Sequence, residues 1–216
     1  MTINLSLEQR AHLATLYGEP QRRYHTLAHV HQLLREIETL KVDQKTKEIL
    51  EVAAWFHDSI YDPLAPKGKN ENDSHQLLMY STLGNLTGKL AAGYCILATK
   101  DHIVPADTTP ENQETVKLFL DLDLSILGQS EDDYLTYAVQ VGQEYILSGL
   151  PEEKYIAGRM VFLQKKLSAH APRHIYHTQE FRNRYEAAAR FNIQDELNRL
   201  QAMLDRKKTP APESKL

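Results

Sequence analysis

Apolar residues recur every three or four positions along most of the chain. No stretch alternates apolar and polar residues between turn signals, as a half-buried strand would. The pattern therefore predicts an all-α fold. Leu27, Val30, Leu33, Leu34, Ile37 and Leu40 form the first strong stripe, with His31, Arg35 and Glu38 on the opposite face. A second helix is predicted over about 45 to 60, with Ile49, Ala53, Phe56 and Ile60 inward and its end set by Asp62-Pro63. The polar stretch from Lys67 to Asn72 reads as a loop. A third helix runs through Leu77, Leu78 and Met79 to a stop at Gly84, and a fourth covers 90 to 101. Thr109-Pro110-Glu111 opens a fifth, carrying Val116, Phe119, Leu120, Leu124 and Leu127, and Gly128 closes it. Ser130 with Asp133 resembles a capping box for a sixth helix, Pro151 opens a seventh and Thr178 an eighth.

Neither a repeat nor a linker divides this series, so residues 1–206 are expected to form one helical domain. Residues 207–216, Lys-Lys-Thr-Pro-Ala-Pro-Glu-Ser-Lys-Leu, are too polar and proline-rich to pack and are expected to be a disordered tail. The chain has 216 residues, 42% of them hydrophobic, which is enough to bury a core. Its 25 Lys and Arg against 29 Asp and Glu leave a formal charge of -4, so it has no cationic excess to neutralise a polynucleotide. The single cysteine, Cys95, can make neither an internal disulfide nor a cysteine metal cage. The first ten residues lack an apolar run, and no later run approaches the ~18 residues of a membrane span, so neither a signal peptide nor a membrane partner is expected. A reducing cytoplasm is the expected location.

Four polar residues fall where the apolar pattern carries them inward. His25 and His29 are four apart on or beside the first stripe. Either could be an ordinary half-buried histidine with a backbone partner. His57 follows Ala53 by four and is joined to Asp58 at the end of the second helix. Asp123 has Phe119 and Leu127 four residues to either side, which seats a carboxylate in an apolar face. A carboxylate buried there is protonated, ion-paired or bound to metal. Asp121, by contrast, has Lys117 four before it and Ser125 four after, and is expected to make a surface pair with Lys117. Two of these histidines with Asp58 and Asp123 would form a mixed nitrogen and oxygen set. Such a set suits a divalent transition ion with open positions and an acidified water.

The segments Tyr24-His25-Thr26-Leu27-Ala28-His29-Val30, Trp55-Phe56-His57-Asp58-Ser59-Ile60-Tyr61-Asp62, Asp121-Leu122-Asp123-Leu124-Ser125-Ile126-Leu127-Gly128 and Ala189-Arg190-Phe191-Asn192 together resemble the HD superfamily of metal-dependent phosphohydrolases. Within it, they are most similar to a family of small bacterial predicted HD phosphohydrolases. The resemblance spans roughly residues 20 to 200 and implies a helical bundle whose metal is held by His29, His57, Asp58 and Asp123, where the first, second and fifth predicted helices meet. The segment from Tyr24 to His29 is also similar to the Tyr-His-Asn-x-x-His motif of cyclic nucleotide phosphodiesterases, with Thr26 in place of the asparagine. That likeness makes His25 the candidate general acid.

Other candidates are less distinctive. Glu71 is either a base for the attacking water or a solvated loop carboxylate. His102 could meet a phosphate or a second metal, or could simply answer a helix C-terminus. Lys100 and Arg159 could clamp a phosphate, or be solvated surface cations. Arg190 and Asn192 read as structural ties of the last helix. The resemblance and the acidic charge together imply hydrolysis of a phosphomonoester or pyrophosphate of a nucleotide-like small molecule. The cofactor would be one divalent ion, with Mn, Fe, Ni, Co, Zn and Mg all open. Two rivals remain: a di-iron oxygenase on the same scaffold, and a non-catalytic module that senses a nucleotide through its metal.

Overall fold

A computed structural model of the chain describes residues 5–168 and 174–208. Among them the only regular elements are helical, as the periodicity predicts. They are α1 (Leu7–Leu16), α2 (Leu27–Thr39), α3 (Gln44–Phe56), α4 (Lys69–Tyr80), α5 (Leu86–Thr99), α6 (Pro110–Asp123), α7 (Glu131–Leu147), α8 (Glu152–Leu167) and α9 (Gln179–Lys208). A 3-10 turn, Leu124–Gly128, continues α6.

Helix α3 is the hub. It is buried on nearly every side in its last two turns, from Ile49 through Phe56, and packs on α2, α5 and α6. Helix α5 reaches the centre because its inward positions are small: Ala91, Ala92, Gly93, Cys95 and Ala98 let neighbouring backbones approach. Helices α8 and α9 pack on each other, and α9 also lies across the 3-10 turn. Gly128 makes that crossing possible, since a Cβ there would come within 2.5 Å of the Cβ of Tyr185. The Asn192 side chain then donates to the carbonyls of Leu127 and Gln129, fixing the same crossing.

The structure revises the sequence reading in several places. Helix α1 lies outside the predicted set, although Ser6 and Gln9 form a complete capping box at its start. Only Leu13 of α1 is buried, so its apolar stripe is faint. The expected loop from Lys67 to Asn72 is the entry and first turn of α4, capped by Gly68 in a left-handed conformation at φ 83°. The predicted fifth helix tightens at Leu124 instead of running to Gly128 as α-helix. The expected disordered tail began at Lys207. Helix α9 extends through Lys208, and 209–216 lie outside the described residues.

Candidate metal centre and its cavity

The first, second and fifth predicted helices converge as expected, with α2, α3 and α6 in mutual contact. His29 lies on α2, His57 caps the C-terminus of α3 and Asp123 ends α6. One donor atom from each falls within 4.8 Å of the others, close enough for all three to bind one ion. His29 Nε2 is 3.3 Å from His57 Nε2 and 3.3 Å from Asp123 Oδ1, and His57 Nε2 is 3.6 Å from that oxygen. Bonds of about 2.1 Å to a common ion would space such donors by about 3.0 to 3.4 Å. Asp58 Oδ2 lies 2.9 Å from His57 Nε2, but the group whose donors are all mutually close enough to share one ion is His29, His57 and Asp123.

The chemistry of these donors fits a cation. His57 Nδ1 is 3.0 Å from the carbonyl of Ala54, which can only accept, so Nδ1 carries the proton. A neutral His57 then turns an Nε2 lone pair toward a second imidazole and two carboxylates. That arrangement repels itself unless positive charge lies at the centre. Burial disfavours the His57 imidazolium, but Asp58 and Asp123 overcome it and push the pKa up to about 9. A proton on Nε2 answers only one neighbour, whereas a divalent ion answers all of them. The outer face of His29 is oriented in the same way, with Nδ1 3.0 Å from the Tyr24 hydroxyl.

His25 is not on α2 but just before it, beyond the N-cap Thr26. Its Nε2 sits 4.0 Å from Asp58 Oδ2, and its Nδ1–H donates to Glu144 Oε2 at 2.6 Å. Glu144, on α7, is fully buried and was not among the predicted site residues. Its Oε1 accepts the backbone N–H groups of Arg23, Tyr24 and His25, and its Oε2 also accepts the Tyr61 hydroxyl. Burial opposes the Glu144 charge, yet His25 and these donors bring its pKa down to about 2. The partnership is reciprocal. Burial opposes the His25 imidazolium, and Glu144 with Asp58 raises its pKa regardless. Arg22 is a second residue missed in the sequence. Buried itself, it donates to the carbonyls of His25, Asp58 and Ser59, lashing the loop that carries His25 to the end of α3.

Asp123 faces two ways. Oδ1 serves the His29 and His57 side, while Oδ2 is 3.2 Å from His102 Nε2. Burial would raise the Asp123 pKa, but the imidazoles of His102, His29 and His57 hold it well below the carboxylate range. His102 lies beyond the end of α5 in a left-handed conformation at φ 53°, uncommon for a residue with a side chain. Burial and Lys166 lower its pKa.

Of these groups His25, Asp58, His102 and Asp123 line a cavity of 430 Å³ that also reaches Glu71 and Lys100. Glu71 is not a loop residue: it lies in the first turn of α4, where burial raises its pKa. The Lys100 side chain crosses Gly68, and a Cβ there would come within 3.0 Å of it. Arg159 corrects a further expectation. It is no solvated surface cation: it lines the cavity from a buried position, holds Glu196 with two hydrogen bonds and donates to the Tyr137 hydroxyl, so its charge is already matched within the fold.

Asp121 is the largest correction. Instead of pairing with Lys117 at the surface, it is fully buried and accepts from the backbone N–H groups of His177 and Thr178 and from the Thr178 hydroxyl. Lys117 pairs with Glu114. The segment ahead of α9 folds over this side of α6 and supplies those donors.

In comparisons with family models, curated proteins and solved structures, none matches this chain. Among the described residues, no helix is long and apolar enough to cross a membrane.

Proposed function

We propose that this protein is an HD-type, metal-dependent phosphohydrolase of the cytoplasm. Its substrate would be a phosphomonoester or pyrophosphate of a nucleotide-like small molecule. The observation that carries this reading is the union of two devices at one cavity end. A three-residue nitrogen and oxygen cluster fit for a divalent ion stands beside a histidine whose far nitrogen is fixed by a buried carboxylate. In this reading Asp58 is the fourth ligand, beside His29, His57 and Asp123.

A divalent ion held there supplies Lewis acidity to a phosphoryl oxygen and lowers the pKa of a water. The protein does the rest. Glu144 keeps His25 protonated and turns Nε2 toward the cavity, where it donates to the departing oxygen. Tyr24 and Ala54 hold the two ligand imidazoles with Nε2 inward. Glu71, with its raised pKa, lines the same cavity and can accept a proton from the attacking water. Lys100 and His102 offer positive charge or donors to the phosphate oxygens.

The test is a screen of the purified chain against phosphorylated metabolites with manganese, magnesium, nickel, cobalt and iron in turn, read as released phosphate. Release that is metal-dependent and disappears together with bound metal in a His57→Ala, Asp58→Ala double variant is the expected result. No release with any ion would sink the hydrolase reading. Oxygen uptake by the iron-loaded protein would put an oxygenase in its place, with the His102 contact to Asp123 as the start of a second iron site.

A further inference from the structure

The cavity continues away from the metal cluster into a compartment between α7 and α8 that the proposed chemistry does not use. Tyr137, Val141 and Tyr145, each four residues after the last, present one face of α7 to it. Tyr155 and Phe162 present a face of α8, and Leu150 closes the turn between them. The walls are thus ring faces and aliphatic surface, suited to a desolvated flat group.

The tyrosine hydroxyls there have protons to donate. The Tyr137 hydroxyl accepts from Arg159, and among the described residues its own proton has no acceptor. The hydroxyls of Tyr145 and Tyr155 make no hydrogen bond among the described residues. An alkyl chain filling this space would leave all three unsatisfied. A second phosphate is poorly served, because Arg159 is matched by Glu196, which leaves Lys154 as the single unmatched cation among the described residues lining this part of the cavity.

Two glycines shape the compartment in different ways. At Gly142 a Cβ would lie 3.2 Å from the Tyr155 ring, so glycine lets that ring lie against α7. At Gly158, on the cavity wall within α8, a Cβ would meet nothing within 4 Å. No packing demands glycine there, and a helix interior disfavours it. What the missing side chain provides is open volume.

Building on the phosphohydrolase reading, we propose that this compartment receives the organic part of the substrate, that this part is a planar heterocycle bearing hydrogen-bond acceptors, and that Gly158 sets the size admitted. The test is calorimetric titration of the manganese-loaded full chain with inorganic phosphate, ribose 5-phosphate, adenosine, AMP and UMP. At least one of the two nucleotides should bind tenfold or more tighter than ribose 5-phosphate. Gly158→Leu should erase most of that advantage and Gly158→Ala part of it. Circular dichroism verifies that each variant is folded, and the alanine variant carries the test if the leucine variant is not.

Equal affinity for both nucleotides and ribose 5-phosphate would overturn the compartment and leave the phosphohydrolase reading standing. So would a ring advantage untouched by folded Gly158 variants. Adenosine binding as tightly as AMP would keep the compartment and remove the phosphate reading. Binding of none of the five would overturn both.

Discussion

Asp121 and Asp123 lie two residues apart at the end of α6, and the protein uses their carboxylates in opposite ways. Asp121 is wholly buried, and its partners are two backbone N–H groups and a hydroxyl from the segment that starts α9. Asp123 opens onto the cavity, and its partners are imidazole nitrogens from three separate parts of the fold. Their acidities diverge accordingly. Burial raises the pKa of Asp121 in spite of its three donors, whereas three histidines overcome burial at Asp123 and depress it strongly. A buried carboxylate alone therefore does not mark a site. The distinguishing feature is the partner: fixed backbone donors make a structural tie, and several nitrogens able to give up a proton make a place for a cation.

The largest effect is expected at Asp123. Asp123→Asn removes the anionic donor that His29 and His57 share, so bound metal should be lost. Hydrolysis should fall by roughly three orders of magnitude, about 4 kcal/mol of transition-state stabilisation. Metal analysis and released phosphate report it. An Asp123→Asn protein that retains stoichiometric metal would erase the distinction between the two carboxylates. Asp121→Ala should do the reverse, leaving metal content intact while stranding two backbone N–H groups and the Thr178 hydroxyl. We expect a loss of about 3 kcal/mol in denaturant unfolding. Metal loss without destabilisation would move the α6 ligand from Asp123 to Asp121.

Why the sequence separates these two only in part is a matter of helix environment. Phe119 and Leu127 flank Asp123 at helical spacing, and that spacing turned it to the site as expected. The same rule assigned Asp121 to solvent because it assumes one wet face. Yet Thr115, Val116, Phe119, Leu120, Asp121 and Leu122 of α6 are all buried, so the helix has core on more than one side. What covers Asp121 begins 56 residues later in the chain, at His177. Glu144 was legible by the rule that found Asp123. It follows Tyr137 by seven residues and Val141 by three, on the buried stripe of α7, but its three N–H partners lie some 120 residues earlier. Contacts so distant leave no local trace. Arg22 and α1 were missed for related reasons: three of the hydrogen bonds that hold Arg22 go to backbone carbonyls, two of them at the distant end of α3, and α1 buries a single leucine.

Glu144 sharpens the comparison, because it combines both kinds of partner: three backbone N–H groups on one oxygen, an imidazole on the other. Glu144→Gln should retain metal yet slow hydrolysis of substrates with poor leaving groups by about 10²-fold, the effect expected for His25→Ala. Substrates whose leaving group needs no proton should be largely spared. The structural half of its role appears in acid. Folding lowers the Glu144 pKa from an ordinary 4.5 to about 2. Its charge therefore contributes stability above about pH 4.5, and the contribution drains away as the pH falls toward 2, on the order of 3 kcal/mol in all. In Glu144→Gln that part of the acid sensitivity should vanish. An unchanged stability profile between pH 5 and 2 would mean the carboxylate is not ionised in the fold.

The smallest effect is expected at Lys117, and it bears directly on Asp121. If Asp121 were a surface residue, Lys117 four positions earlier would be its natural helical partner, and removing either would weaken the same pair. In the structure Lys117 instead pairs with Glu114 at 2.6 Å, in an exposed i, i+3 arrangement, while Asp121 is spent on His177 and Thr178. Lys117→Ala should therefore shift stability by no more than about 0.5 kcal/mol, and less in high salt, because exposed pairs of this kind are weak and screened. The double variant with Asp121→Ala should equal the sum of the two single changes, since the residues share no partner. A coupling above about 0.5 kcal/mol in that cycle would place the two side chains in contact, return Asp121 to the surface, and leave the strap ahead of α9 without the carboxylate that holds it.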